Sequence, residues 1–131
     1  MYHGQKKQFS LYRRLRSFRF AFRGIYLVRR NQVNFKIHLV ALFVVVIFGI
    51  LFQVSIWEWC IIILTCALVL SLEAVNTALE YFVDMVSPDF REKAGEIKDI
   101  AAGAVLLSAI AALIVGSLIF LPKLFHLLFH Q

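Results

Sequence analysis

The sequence predicts an all-α integral membrane protein, in which one N-terminal amphipathic helix lies on the membrane surface and three helices span the bilayer. Hydrophobic residues make up 61% of the 131 residues, and the mean hydropathy is +0.80. A soluble domain of this length could not cover so much apolar surface. Long uncharged stretches alternate with charged ones, and the whole chain, 1–131, is expected to be a single domain.

The segment 9–34 is predicted to form the surface helix, because its apolar and basic residues separate on a helical wheel. The apolar residues fall within roughly 80° of one another. They are Leu11, Leu15, Phe18, Phe22 and Ile25. Most arginines occupy the opposite arc, and a helix of this kind lies in the headgroup region of a membrane. The alternative from the residues alone is a disordered basic tail.

Three uncharged runs predict the spanning helices. No charged residue occurs for 21 positions after Lys36, for 14 positions after Glu58, or for 23 positions after Asp99. About 20 apolar residues cross a bilayer core. The spans are therefore placed at about 37–55, 57–86 and 99–121. The middle run is too short alone, so its helix must continue through Glu73.

Turn-forming residues are predicted to separate these helices. The stretch around Val54–Glu58 reverses the chain, with Trp57 and Trp59 at the membrane interface. Ser87-Pro88-Asp89 is expected to close the second span and to start the next helix, since Ser can cap a helix N-terminus and Pro fits its first turn. Pro122 is expected to end the third span.

The distribution of basic residues predicts the orientation in the membrane. Residues 1–36 carry ten Lys or Arg and no acid, and the loop Ser87–Asp99 adds three more. These 13 basic residues would face the cytoplasm with Lys123 alone on the other side, which places the N-terminus inside and the C-terminus outside. The basic block also predicts contact with anionic lipid headgroups rather than with nucleic acid.

A polar stripe on the second span is the candidate site. Five polar residues fall within an arc of about 100° on a helical wheel. They are Glu73, Asn76, Thr77, Glu80 and Asp84. Glu73 is predicted to lie within the hydrocarbon or at its inner edge, with Glu80 about 10 Å nearer the cytoplasm, at headgroup level. Ionisable groups at this depth must face protein, water or a cation.

The chemistry of the stripe leaves several interpretations open. Two carboxylates beside an Asn can bind a hard cation, and the deeper, partly desolvated carboxylate suits a general base. The stripe could instead be a polar seam that only joins helices or pairs with Lys98 and the surface helix. Three spans hardly bury it, so an oligomer is expected. His38, at the start of the first span, is expected to be an interfacial residue.

Two function classes fit these residues. One is an enzyme that acts on a lipid headgroup with a soluble cofactor and a divalent cation. The other is a proton- or cation-coupled transporter subunit, which would place its carboxylate near the midplane. The stripe is displaced towards the cytoplasm and points at a basic loop, which favours the enzyme.

Two motifs stand at the stripe and shortly after it. The first is Glu73-Ala-Val-Asn76-Thr-Ala-Leu-Glu80-Tyr-Phe-Val-Asp84, and the second is Lys98-Asp99-Ile-Ala-Ala-Gly-Ala-Val. Together with Arg19–Gly24 and Asn34–His38, they resemble the prokaryotic diacylglycerol kinase family, which includes the undecaprenol kinases. The resemblance covers roughly residues 9–123. It implies a homotrimer in the bacterial inner membrane, active sites between protomers, and phosphorylation of a membrane lipid alcohol by ATP with Mg²⁺.

The resemblance also implies a role for each motif residue. Glu73 would be the general base for the lipid hydroxyl, and Asn76 would position the reacting groups. Glu80 would bind the metal that bridges the phosphates of ATP. The implied contacts with the nucleotide are Lys98, Asp99, Asp89, Phe90 and Arg91, with Arg13 and Phe20 of the surface helix near nucleotide or substrate.

Gln32 departs from the family pattern. The family commonly has a second metal-binding Glu just before the Asn-Phe-Lys segment, and Gln32 stands there in this chain. Because Gln offers a carbonyl oxygen without charge, the resemblance implies weaker metal binding by Gln32 and Glu80, or compensation by an acid such as Asp84. The ending Val115–Lys123 is similar to the undecaprenol-kinase branch, which makes undecaprenol the expected substrate and diacylglycerol the alternative.

Overall fold

A computed structural model of the protein describes residues 11–89 and 91–129, with side chains from Arg16 onward. It contains four helices: α1 (Leu11–Asn31), α2 (Val33–Leu51), α3 (Ile56–Val86) and α4 (Glu92–Phe129). Three of them, α2, α3 and α4, are long and apolar enough to cross a membrane. The described chain is therefore all-helical with three candidate spans, as the sequence predicts.

The break between α1 and α2 is a single residue wide. Gln32 adopts an extended conformation, with φ −104° and ψ 124°, although its N–H still donates to the Val28 carbonyl at 2.9 Å. The first spanning helix thus begins four residues before the predicted span, at Val33. A membrane helix can start outside the hydrocarbon, because backbone groups at its ends still reach water or headgroups.

The turn between α2 and α3 lies at residues 52–55, slightly before the predicted reversal. Glu58 belongs to α3, because Ser55 and Glu58 form a capping box: the Glu58 N–H donates to Ser55 Oγ at 3.3 Å, and the Ser55 N–H donates to Glu58 Oε2 at 2.6 Å. Gln53 takes up a positive φ of 49°. The chain therefore reverses within four residues.

Two sequence predictions about α4 are wrong. The helix begins at Glu92 rather than at Pro88, because Ser87 caps the end of α3 instead, donating its N–H to the Val83 carbonyl at 2.8 Å. The helix also continues through Pro122 to Phe129. Proline removes one backbone hydrogen bond and is a weaker helix breaker in membrane helices than in soluble ones, because neighbouring groups compensate the freed carbonyl.

Two ion pairs fix the antiparallel register of α3 and α4. Lys98 pairs with Asp84 at the end of the hairpin near the connecting loop. Lys123 Nζ lies 3.1 Å from Glu58 Oε1 at the opposite end. Between these pairs the two helices pack along their length, and each buries a polar residue there, Glu73 on α3 and Ser108 on α4.

The far end of the bundle, away from the α3–α4 loop, contains the apolar core. Val54, Ile62 and Ile119 are buried there. The Phe120 ring packs on those of Phe48 and Phe52, with ring centroids 6.3 and 6.2 Å away. These contacts tie α2 to α4 at this end.

We expect the close approach of α2 to α3 at Gly49 to tolerate no side chain. A Cβ on Gly49 would lie 2.5 Å from Cη2 of the Trp59 ring, whereas a Cβ on Gly103 would meet nothing within 4 Å. Gly49→Ala should therefore lower the free energy of unfolding in detergent micelles by about 1–3 kcal/mol. The matched variant Gly103→Ala should leave it unchanged or raise it. Equal stability of both variants would contradict this packing.

Candidate active site

The polar stripe of α3 passes from a buried end to an exposed end. Glu73, Asn76 and Thr77 are buried, with Glu73 only 2% exposed, whereas Glu80 is half-buried and Asp84 is exposed. The Thr77 hydroxyl donates to the backbone carbonyl of Glu73 at 2.9 Å, so it does not hydrogen-bond to any carboxylate of the stripe. The stripe thus has one buried carboxylate, that of Glu73. A second carboxylate, that of Glu80, lies about two turns further along the helix, where a water-soluble group can reach it.

Glu80 is the centre of a cluster that joins two helices. Asn76 Nδ2 donates to Glu80 Oε1 at 2.9 Å, from one turn away on the same helix. Gln32 Nε2 approaches Glu80 Oε2 at 3.4 Å from the break between α1 and α2. The structure therefore brings together Gln32 and Glu80, the two residues predicted to form the metal site, and adds Asn76 to them.

The donor atoms of this cluster suit a hard divalent cation. Asn76 Oδ1 is buried and has no hydrogen-bond partner in the described part of the chain. The same Asn76 side chain contacts Glu80 through its Nδ2 atom. The Glu80 carboxylate would be the charged ligand. Oxygen from carboxylate and amide groups is what Mg²⁺ prefers. Among the described residues, no three or more His, Cys, Asp or Glu side chains gather into a metal-binding group, and Glu80 is the one carboxylate in the contacts of this cluster.

Asp84 and Lys98 form the exposed end of the site. The Lys98 ammonium group donates to Asp84 Oδ1 across the hairpin, and both side chains are more than a third exposed. Asp84 is one turn beyond Glu80 on the same face of α3. A cation on a flexible side chain, held next to the Glu80 cluster, can reach an anionic ligand there.

The remaining predicted residues are less closely gathered. Asp89 and Arg91 are exposed in the loop before α4, and Asp99 is exposed beside Lys98. Phe20 is 55% exposed on α1, where the Arg16 guanidinium lies over its ring at 5.8 Å. The Arg13 side chain and the whole of Phe90 lie outside the described residues.

Sequence reasoning missed one contact at this site. The Asn31 side-chain amide donates to the Tyr81 hydroxyl at 3.2 Å and so joins the end of α1 to α3 beside the Gln32–Glu80 contact. The adjacency of Asn31 to Gln32, and of Tyr81 to Glu80, is the signal that could have predicted this contact. His38, predicted to be an interfacial residue, lines a cavity between the helices.

An apolar cavity of about 440 Å³ opens beside the buried end of the stripe, between α2, α3 and α4. Leu70 lines it one turn before Glu73 on α3, His38 lines it from α2, and Phe120 lines its far end. Its walls include small and branched residues, such as Ala112 and Val69. The cavity therefore begins about one turn from Glu73 and extends along the helices towards the turn between α2 and α3.

Comparison with known proteins identifies the family. The family described as prokaryotic diacylglycerol kinase matches residues 19–120. An undecaprenol kinase of Bacillus subtilis is 45% identical over 115 residues, 88% of this chain and 94% of the relative. A diacylglycerol kinase of Synechocystis is 43% identical over 113 residues, 86% of this chain and 65% of that relative. A diacylglycerol kinase of Escherichia coli is 27% identical over 95 residues, 72% of this chain and 78% of the relative.

The family match contains both motifs and every helix that contributes to the Glu80 cluster. The sequence resemblance and the comparison agree, and the transporter interpretation is not needed. The chain therefore belongs to the prokaryotic diacylglycerol kinase family and is a lipid kinase.

Proposed function

We propose that this lipid kinase transfers the γ-phosphoryl group of ATP, with Mg²⁺, to the hydroxyl of undecaprenol and forms undecaprenyl phosphate. The observation that carries the proposal is the pairing on α3 of a buried Glu73 with the more accessible Glu80 cluster. A lipid hydroxyl can approach the first from the membrane, and a nucleotide can approach the second from water. The 45% identity to an undecaprenol kinase supports this choice of lipid.

Glu73 would act as the general base. Its carboxylate would accept the proton of the lipid hydroxyl as the oxygen attacks the γ-phosphorus, and the bond from that phosphorus to the β,γ-bridging oxygen breaks. Burial keeps competing water away from this oxygen, since Glu73 is only 2% exposed. Asn76, one turn away, would orient the reacting groups through its buried amide.

The other residues would hold the nucleotide. Glu80, Asn76 and Gln32 offer oxygen atoms to Mg²⁺, which when bound neutralises phosphate charge. Lys98 would contribute a second positive charge to the phosphates. Asp89 and Arg91 in the loop and Asp99 on α4 would contact the nucleotide, as would Phe90, which lies outside the described residues. Phosphoryl transfer needs mainly positioning and charge neutralisation, so a site without a glycine-rich loop is sufficient.

The apolar cavity supports a lipid substrate with its hydroxyl at Glu73. Its near end is lined by Leu70, one turn from Glu73 on α3, and by His38 from α2, and its lining residues continue along the spanning helices. Diacylglycerol is the second candidate substrate, because the Synechocystis relative with 43% identity is a diacylglycerol kinase.

The remaining parts of the proposal concern the membrane. We infer a multi-pass protein of the bacterial inner membrane, with the N-terminus and the α3–α4 loop cytoplasmic and the C-terminus outside. The arginine-rich α1 would lie on the inner surface against anionic headgroups, with Arg13 and Phe20 near the nucleotide or substrate. A homotrimer would cover the many apolar side chains of α2, α3 and α4 that one protomer leaves exposed.

The substrate is tested by transfer of labelled phosphate from ATP in mixed micelles. Undecaprenol and diacylglycerol are offered in parallel, each with magnesium and with chelator. We expect magnesium-dependent label in undecaprenyl phosphate. Label in phosphatidic acid alone would assign the chain to the second substrate, and label in neither lipid would contradict the proposed function.

The general base is tested by Glu73→Gln. The amide keeps the size of the side chain but cannot accept the proton, so turnover should fall by on the order of 10²- to 10⁴-fold while membrane insertion and thermal stability persist. Glu96→Gln is the matched control, because Glu96 is exposed and pairs with Lys93 three residues away. Turnover of Glu73→Gln near that of the control would exclude this role.

A further inference from the structure

We propose that the cation site of this chain is filled only together with the nucleotide, because its own residues supply one carboxylate and two amides. The inference rests on the proposed function, which provides the nucleotide. It concerns the order in which ligands enter and the part that Gln32 plays in setting that order.

The charge of the cluster favours binding together with the nucleotide. Glu80 is the carboxylate at its centre, while Gln32 and Asn76 are neutral. A divalent cation placed there would be neutralised only in part. Because Coulomb attraction between close charges is strong near a protein surface, a cluster with one carboxylate binds the free ion weakly.

The hydrogen bonds of Glu80 also oppose binding of a free cation. Asn76 Nδ2 donates to Oε1 at 2.9 Å, and Gln32 Nε2 approaches Oε2 at 3.4 Å, so each carboxylate oxygen faces an amide donor. A free cation must displace at least one of these donors before it gains a ligand. Rotation of the Gln32 amide by half a turn would replace its N–H with a carbonyl oxygen, which then becomes a ligand.

The buried Asn76 carbonyl oxygen also favours a ligand from outside. Asn76 is 6% exposed, and its Oδ1 lacks a hydrogen-bond partner among the described residues. An unpaired buried acceptor is unfavourable, because it has lost its hydrogen bonds to water without replacing them. A cation or a hydroxyl group delivered with the substrates would satisfy it, so the site is prepared for a ligand that arrives from outside the protein.

Nearby acids are poorly placed to replace the missing charge. Before a nucleotide arrives, Asp84 pairs with Lys98, so its negative charge is offset in the state that a free cation would meet. Glu73 is seven residues from Glu80, about 10 Å along the helix, and belongs to the secluded end of the stripe. The β- and γ-phosphates of the nucleotide are then the source of the remaining anionic ligands, as is common for Mg²⁺ sites in kinases.

The test measures Mn²⁺ binding by electron paramagnetic resonance, using purified protein in detergent micelles. Mn²⁺ is titrated with and without a non-hydrolysable ATP analogue. For the natural sequence we expect binding only with the analogue. Gln32→Glu adds a second carboxylate beside Glu80, and this variant should bind Mn²⁺ alone at least about tenfold more tightly than the natural sequence.

Two further variants locate the gained site. Gln32→Glu combined with Glu80→Gln should lose the analogue-independent binding, because the site again has one carboxylate. Gln32→Glu combined with Asp84→Asn should keep it, because Asp84 is paired with Lys98. Loss of binding in this second combination would mean that Asp84 is a ligand and would overturn the proposed cluster.

The outcomes separate this inference from the proposed function. Tight Mn²⁺ binding by the natural sequence without the analogue, or no gain in Gln32→Glu, would overturn the inference even if the same preparation phosphorylates undecaprenol. Absence of both analogue binding and lipid phosphorylation would instead overturn the proposed function, and the inference with it.

Discussion

A carboxylate inside a membrane helix is tolerated only when protein surrounds it, and this constraint organises the structure around α3. Glu73 is 2% exposed and lies on a helix whose other faces are almost wholly apolar. The same face must therefore carry Asn76, Thr77 and Glu80, because a polar residue elsewhere on the helix would face lipid. Exposure of the stripe rises from Glu73 through Glu80 to Asp84 because α3 passes from the apolar part of the bundle towards water.

The neighbouring helices are held where they can cover this stripe. Lys98 and Lys123 pair with the acids at the two ends of α3, so α4 cannot slide along α3 without separating opposite charges. On the other side, the break at Gln32 directs that side chain at Glu80. Both ion pairs between α3 and α4 are only partly buried, so they set the register of the two helices and add little to the free energy of unfolding.

The sequence predicts most of this arrangement, because it depends on period and length. Uncharged runs predict the spanning helices, and the spacing of Glu73, Asn76 and Glu80 predicts the stripe. Contacts between helices are different: the position of Gln32 on Glu80 was implied by family resemblance and not by any periodicity. The two errors in α4 concern prolines, whose effect on a helix depends on the surroundings more than on the local sequence.

Gln32 has the shape of a glutamate without its charge, and this difference has separate consequences for folding and for chemistry. Its amide contacts Glu80 and, with the Asn31–Tyr81 contact, joins α1, α2 and α3. A glutamate at this position would bring a second carboxylate beside Glu80, and the two would repel each other in the absence of a ligand. The neutral amide lets the junction hold together before any ligand arrives. On the proposed function, this junction comes at the expense of affinity for a free cation, and the nucleotide would serve both as the phosphoryl donor and as a source of the charge that completes the metal site.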